Sequence, residues 1–213
     1  MEDSKEIDTS ITTATKLDVD EPGSSVDQKL YRGMIDSLLY LTSSRPGIIF
    51  SVGLYARFQE SPKEFHLIVV KRILRYLKST TDMCLWYPKG SNFNLAGYTD
   101  VDYAGFLVDR KRTSGMTHFF GSYLVSWATK KKTFVVVSTA EADAISMTKN
   151  LVHHKRTEHI DVRYHFLKDN YEKGLITVEL CATDKEIADI FTKALSRDNF
   201  ERNRLELEMI KIT

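Results

Sequence analysis

The chain has 213 residues, enough for one large domain or two small ones, and its 42% hydrophobic content is ordinary for a globular protein. Its 30 Lys and Arg nearly balance 29 Asp and Glu, so a formal net charge of +1 makes no global case for a polyanion partner, and any nucleic-acid contact would need local patches. No apolar run approaches the ~20 residues of a membrane span, MEDSKEID is the opposite of a signal-peptide start, and Cys84 and Cys181 lie far apart without metal-ligand spacing. These features exclude a zinc site and predict a soluble protein of a reducing, intracellular compartment.

Residues 1–27 are polar, rich in Asp, Ser and Thr, and close on DEPGSS, which predicts an extended or disordered lead-in. LYRGMIDSLLYLTSSR then spaces Leu30, Met34, Leu38 and Leu41 as a helical stripe that Arg45-Pro46 should end. PGIIFSVGLYARFQ reads as a second helix with Pro46 in its first turn. In the third helix Ser61 can cap, Pro62 takes the first helical position, and Phe65, Val69, Ile73 and Tyr76 form one stripe. On another face Lys71, Arg75 and Lys78 recur at helical spacing, as either a track for a phosphate backbone or a solvated cationic surface. After Thr81 the period becomes sheet-like: MCLWYP, FNLAGYTDVD, MTHFFG and YLVSWAT read as an antiparallel meander. Ser138 and Glu141 make an S-x-x-E capping box in front of a further helix, and residues 157–172 predict another, stopped by Gly174. ITVEL (176–180) reads as a strand and KEIADIFTKAL (185–195) as a helix carrying Asp189. The remaining residues either extend that helix or form a charged tail.

One short stretch asks for an explanation beyond secondary structure. In YTDVDYAG, Asp100 and Asp102 stand two apart near the end of a strand, so they share a face. Two carboxylates side by side repel unless a turn or a cation accommodates them. An Asp- and Gly-rich turn at a strand end explains the pair locally. A metal-dependent hydrolase site explains it too, but needs partner acids elsewhere in the chain.

The segments supply such partners in a recognisable order. YRGMIDSLLYLTSSRPGIIFSVGLYARFQESPKEFHLIVVKRILRYLKST, GYTDVDYAG, DRKRTSG, LVSWATKKK, VSTAEAD, RTEHIDVRYHF and ADIFTKAL together resemble the C-terminal part of the Pol polyprotein of copia-type LTR retrotransposons, most like those of plants, over residues 30–195. The resemblance implies a truncated ribonuclease H-like α/β fold, a mixed sheet with flanking helices, preceded by a helical segment like the reverse-transcriptase thumb or connection. Its parts would be a lead-in over 1–27, the helical segment over 28–82, the ribonuclease H-like domain over 83–195 and a charged tail over 196–213. The implied activity is hydrolysis of the RNA strand of an RNA–DNA hybrid. In such chemistry two Mg²⁺ ions about 4 Å apart, or Mn²⁺, activate a water and stabilise the leaving oxygen. Matching motifs makes Asp100 the first acid and Glu141 the second, with Asp189 preferred over Asp161 as the fourth. The family operates in a cytoplasmic virus-like particle, with the nucleus as a further location.

The chain also departs from this pattern. The third acid belongs to a cysteine–aspartate–asparagine motif several dozen residues after the glutamate, whereas here STAEAD runs directly into AISMTKNLVHHKRTEHID. A block carrying a core strand and a metal ligand therefore reads as deleted near residues 142–144. Asp36, Gly47 and Arg112 stand where the family usually has Gly, Asp and Ser. No YxDD-like sequence is present, so polymerase activity is not expected. The leading expectation is a degenerate Pol fragment without cleavage activity. The alternatives are a residual ribonuclease H, or a non-catalytic nucleic-acid-binding module that uses Lys71, Arg75, Lys78, Lys130, Lys131 and Lys132 with nearby Trp127.

Overall fold

A computed structural model describes residues 5, 7–13, 23–87, 89, 94–102, 113–131, 169, 170, 172–175, 177, 179, 181, 182 and 185–211. Glu141, Asp161, Lys132, the Ser138 capping box and the 142–144 junction lie outside the described residues. So does most of the expected 157–172 helix. Its end is described: Lys173 N–H donates to Asp169 O and Leu175 N–H to Asn170 O, around Gly174 at φ 68°, a left-handed conformation that suits glycine.

Helices and antiparallel sheets make up the described architecture. Helix α1 (Gln28–Leu41) starts where the Asp27 carboxylate accepts from the amides of Lys29 and Leu30. It buries Tyr31, Ile35 and Leu38. Leu30, expected in that stripe, is 55% exposed, because the Tyr31 face turns inward and its hydroxyl donates to Tyr55 O at 2.9 Å. A 3-10 turn (Pro46–Ile48), α2 (Ile49–Tyr55) and a second 3-10 turn (Ala56–Phe58) follow. Helix α3 (Glu64–Ser79) begins later than the Ser61-Pro62 signal predicts. Tertiary pairing explains the delay. Val26 N–H donates to Pro62 O and Glu64 N–H to Ser24 O, while Lys63 N–H goes to His66 Nδ1, so the chain at 62–63 runs beside 24–26 before it coils.

The polar lead-in is partly ordered against α3. Ile11 is buried, the Arg72 guanidinium donates to Thr9 Oγ1, and Ser79 Oγ donates to Ile7 O. Ile7 and Ile11 among polar residues set up no sustained period, so the sequence does not announce this docking.

Strands β2 (Leu95–Asp102), β3 (Thr113–Phe120) and β4 (Tyr123–Lys131) form the expected antiparallel meander, with Gly121 at φ 66° in the tight turn between the last two. Strand β1 (Met83–Leu85) is not its first member. It pairs instead with β5 (Met209–Lys211) in a separate two-stranded sheet, where Leu85 faces Met209 across the ladder. The KEIADIFTKAL segment is a 3-10 turn (Ile187–Phe191) rather than an α-helix. Residues beyond it are not a plain charged tail: Ser196 caps α4 (Arg197–Glu206), whose Phe200 meets Tyr76 edge to face at 5.7 Å. One apolar core runs from Tyr31, Ile35 and Leu38 through Val52, Ile73 and Tyr76 to Phe119, Phe191 and Leu207. Burial of this cluster holds the sheet and the 3-10 turn against the helices.

Candidate functional site

Asp100 lies on β2 directly opposite Gly115 of β3, which is itself opposite Thr129 of β4. Paired residues share a face, so these three define one row on the side of the sheet that carries the 3-10 turn. Gly115 is what lets the turn approach. A Cβ there would stand 2.7 Å from Phe191 Cβ, 2.9 Å from Ala188 O and 2.9 Å from Thr192 Cγ2. With no side chain in the way, the turn rests on the sheet backbone. Thr129 Oγ1 fixes it by donating to Phe191 O at 2.8 Å, and Asn203 Nδ2 of α4 holds its entry by donating to Glu186 O at 3.1 Å.

This seat brings Asp189 to Asp100, although 88 residues separate them in the chain. Their carboxyl groups are within hydrogen-bonding reach, and Thr192 Oγ1 donates a hydrogen bond to Asp100 Oδ2. Lys193, one turn on, places Nζ 2.7 Å from Asp189 Oδ1. Burial is the main cause that raises the Asp189 pKa above the ordinary aspartate value; Lys193 pulls against it, and the Asp100 carboxylate pushes it up further. Burial outweighs the ammonium because Asp189 is 7% exposed while Lys193 is more than a third exposed.

A third carboxylate, Glu186, stands next to this pair and sequence reading did not single it out. Its pKa is raised, by burial first and also by the charges of Asp100 and Asp189, against a hydrogen bond from Ala188 N–H at 3.0 Å. It caps the 3-10 turn. The available signal was its position three residues before Asp189, the spacing at which turn residues eclipse one another.

Carboxylate oxygens are the hard donors that Mg²⁺ or Mn²⁺ takes. Each of these described carboxylates has a partner within the protein. Asp100 accepts from Thr192, Asp189 is paired with Lys193, and Glu186 accepts from a backbone amide. Among the described residues no three His, Cys, Asp or Glu are grouped to hold a metal ion. The pair receives two protein donors, the Thr192 hydroxyl and the Lys193 ammonium.

The cationic candidates fall in different places. Lys71 and Lys78 are exposed on α3, and Arg75 is half-buried there, where its charge adds to burial in lowering the Arg72 pKa. Lys130 is opposite Ser114 and Lys131 opposite Thr113, so successive lysines of the run point to opposite faces of the sheet. Trp127 is half-buried and its ring N–H donates to Thr42 O at 2.9 Å, which ties β4 to the end of α1. Its indole edge is a structural strut.

Comparison with known proteins bears on what this arrangement descends from. The chain is 31% identical to the "Retrovirus-related Pol polyprotein from transposon RE1" of Arabidopsis thaliana, over 92% of this chain and 16% of that protein. It is 32% identical to the corresponding polyprotein from transposon TNT 1-94 of Nicotiana tabacum, over 94% of this chain and 18% of that protein. A third, from transposon RE2 of Arabidopsis thaliana, is 29% identical over 98% of this chain and 17% of that protein. The chain therefore spans less than a fifth of the length of these relatives. The matched spans of 234, 244 and 245 residues exceed the 213 residues of the chain, so each relative carries residues within its span that this chain lacks. No family model and no solved structure matches the chain. Among the described residues no helix is long and apolar enough to cross a membrane.

Proposed function

We propose that this chain, which belongs with the retrovirus-related Pol polyproteins of transposons, is a ribonuclease H-type portion of such a polyprotein that has lost hydrolysis of RNA–DNA hybrids. The observation that carries this reading is the meeting of Asp100 and Asp189 across Gly115. Distant carboxylates are brought together at a cost in repulsion and burial, and a nucleic-acid hydrolase gives that convergence a purpose. The loss of cleavage is supported by the counter-charge of Lys193 on Asp189, by the missing cysteine–aspartate–asparagine motif after STAEAD, and by the shortening relative to the relatives. In this reading Lys193 offsets the charge of Asp189 and Thr192 holds Asp100, and no bond-breaking step is assigned to them. RNA–DNA hybrid is the partner class, Mg²⁺ or Mn²⁺ is the ion of the ancestral reaction, and the cytoplasm is the location.

Incubation of the purified protein with an end-labelled RNA–DNA hybrid and Mg²⁺, beside Asp100→Asn, tests the reading. The expected result is no product above the variant. Product formed by the natural protein and lost in Asp100→Asn overturns it.

A further inference from the structure

The meander has two edges, and the fold treats them differently. At one, β4 is backed by α2, the Trp127 ring N–H ties it to Thr42 O, and Leu124 O accepts from the Tyr87 hydroxyl at 2.9 Å. At the other, β2 pairs with β3 alone among the described residues. Thr177 and Glu179 of ITVEL, a segment expected to form a strand, lie in no strand and add no ladder to this edge. The 3-10 turn covers a face of the sheet at the Asp100 row, above Gly115, and not the edge of β2. Residues 94–97 and Thr99 are exposed. Leu95 is 75% exposed, and Phe120, its partner across the ladder, is exposed as well. Such an edge offers a row of backbone N–H and C=O groups with an apolar end, which is a template for a further strand.

We propose that the β2 edge is an interface between two copies of this chain, joined antiparallel, β2 to β2, about a two-fold axis at Tyr98. The two three-stranded meanders then form one continuous sheet. The occupant is a second copy because β2 is complementary to itself in a single register. A two-fold contact is isologous, and residues directly opposite one another must share a face of the joined sheet, so the axis passes through a residue of the strand. With the axis at Asp100, that carboxylate opposes its own copy; with the axis at Val101, Asp100 opposes Asp102. Like charges directly opposite are destabilising, so both registers are disfavoured. An axis at Thr99 leaves Leu95 beyond the end of the partner strand, and an axis at Gly97 leaves residues 100–102 unpaired. An axis at Tyr98 pairs Leu95 with Val101 of the second copy, Ala96 with Asp100 and Gly97 with Thr99, while Asp102 meets Asn94. No carboxylate opposes a carboxylate, and the apolar end at Leu95 and Phe120 gains an apolar neighbour. The interface goes beyond the reading of the preceding subsection and does not depend on it, since backbone pairing needs neither a metal nor a nucleic acid.

The test is sedimentation velocity of the full chain over about 1–200 µM, with a reductant present because Cys84 and Cys181 are free thiols. The natural protein is expected to pass from monomer to dimer, and amide hydrogen exchange in β2 to slow as concentration rises. Ala96 is exposed and stands opposite Asp100 of the second copy twice in each dimer, so a charge placed there reads the register. Ala96→Glu creates two like-charge pairs and should weaken the dimer on the order of tenfold, whereas Ala96→Lys should hold or tighten it. Leu95→Lys removes the apolar pair and sets a lysine on the edge, and should also weaken it. Circular dichroism establishes that each variant is folded. Should Ala96→Glu fail to fold, Leu95→Lys, at the more exposed position, decides the outcome. A natural protein that stays monomeric throughout leaves the edge to a strand of some other chain and overturns the interface. A dimer that neither Ala96→Glu nor Leu95→Lys weakens overturns it too. So does a monomer whose β2 amides are already protected at low concentration, because another segment of the chain would then hold the edge.

Discussion

Replacing Gly115 by alanine probes how the acid pair is assembled. The added methyl would stand 2.7 Å from Phe191 Cβ and 2.9 Å from the carbonyl oxygen of Ala188. Carbon atoms in good contact are about 3.5–4.0 Å apart, so the turn must retreat by about 1 Å. Neither obstructing atom is the far end of a flexible side chain, and rotamer change does not relieve the overlap. Overpacking of this kind costs about 1–3 kcal/mol. For a chain of this size that corresponds to a fall in Tm of about 2–12 °C. Retreat of the turn also draws Asp189 out of its buried place beside Asp100 and stretches the bond from Thr129 to Phe191 O. The Asp189 pKa, raised in the natural protein, should then fall toward the ordinary aspartate value. Thermal unfolding reads the first effect, and carbon-13 NMR titration of the Asp189 carboxyl reads the second. A Gly115→Ala protein with unaltered Tm and an unaltered Asp189 titration would refute the close-approach argument.

Two further outcomes follow from buried groups elsewhere. His66 is stacked on Phe58 at 3.9 Å between ring centres, accepts from Lys63 N–H through Nδ1, and has Nε2 buried without a partner. Burial first, and the Lys63 charge second, lower its pKa below 6.5. The unfolded chain therefore takes up this proton first as pH falls, and the contribution of His66 to stability is flat above about 6.5 and declines below it toward the folded-state pKa. Denaturant midpoints at a series of pH values should show this decline in the natural protein and lose it in His66→Phe; identical profiles would contradict it. Trp127→Phe removes the donor to Thr42 O and should cost about 1 kcal/mol in stability while leaving hybrid affinity unchanged. A folded variant with weakened hybrid binding would instead make Trp127 a stacking platform.

Local chemistry made much of this protein readable. Alternation and glycine-containing turns announced the β2–β4 meander, and helical spacing announced α1 and α3. Asp100 and Asp189, named by motif, lie within reach of one another in the fold. Such signals are written within a few residues of one another, or within motifs whose order is kept. Other features depended on partners far away in the chain. The late start of α3 follows from pairing with residues 24–26, the removal of β1 from the meander follows from β5, and the 3-10 form of Ile187–Phe191 accompanies its seat on Gly115. The roles of Glu186 as a third carboxylate and Lys193 as the counter-charge are likewise set by where the turn lands on the sheet. A sequence states which charges a chain owns; only packing decides which of them must neutralise one another, because Coulomb interactions and desolvation depend on distance and burial in the folded state.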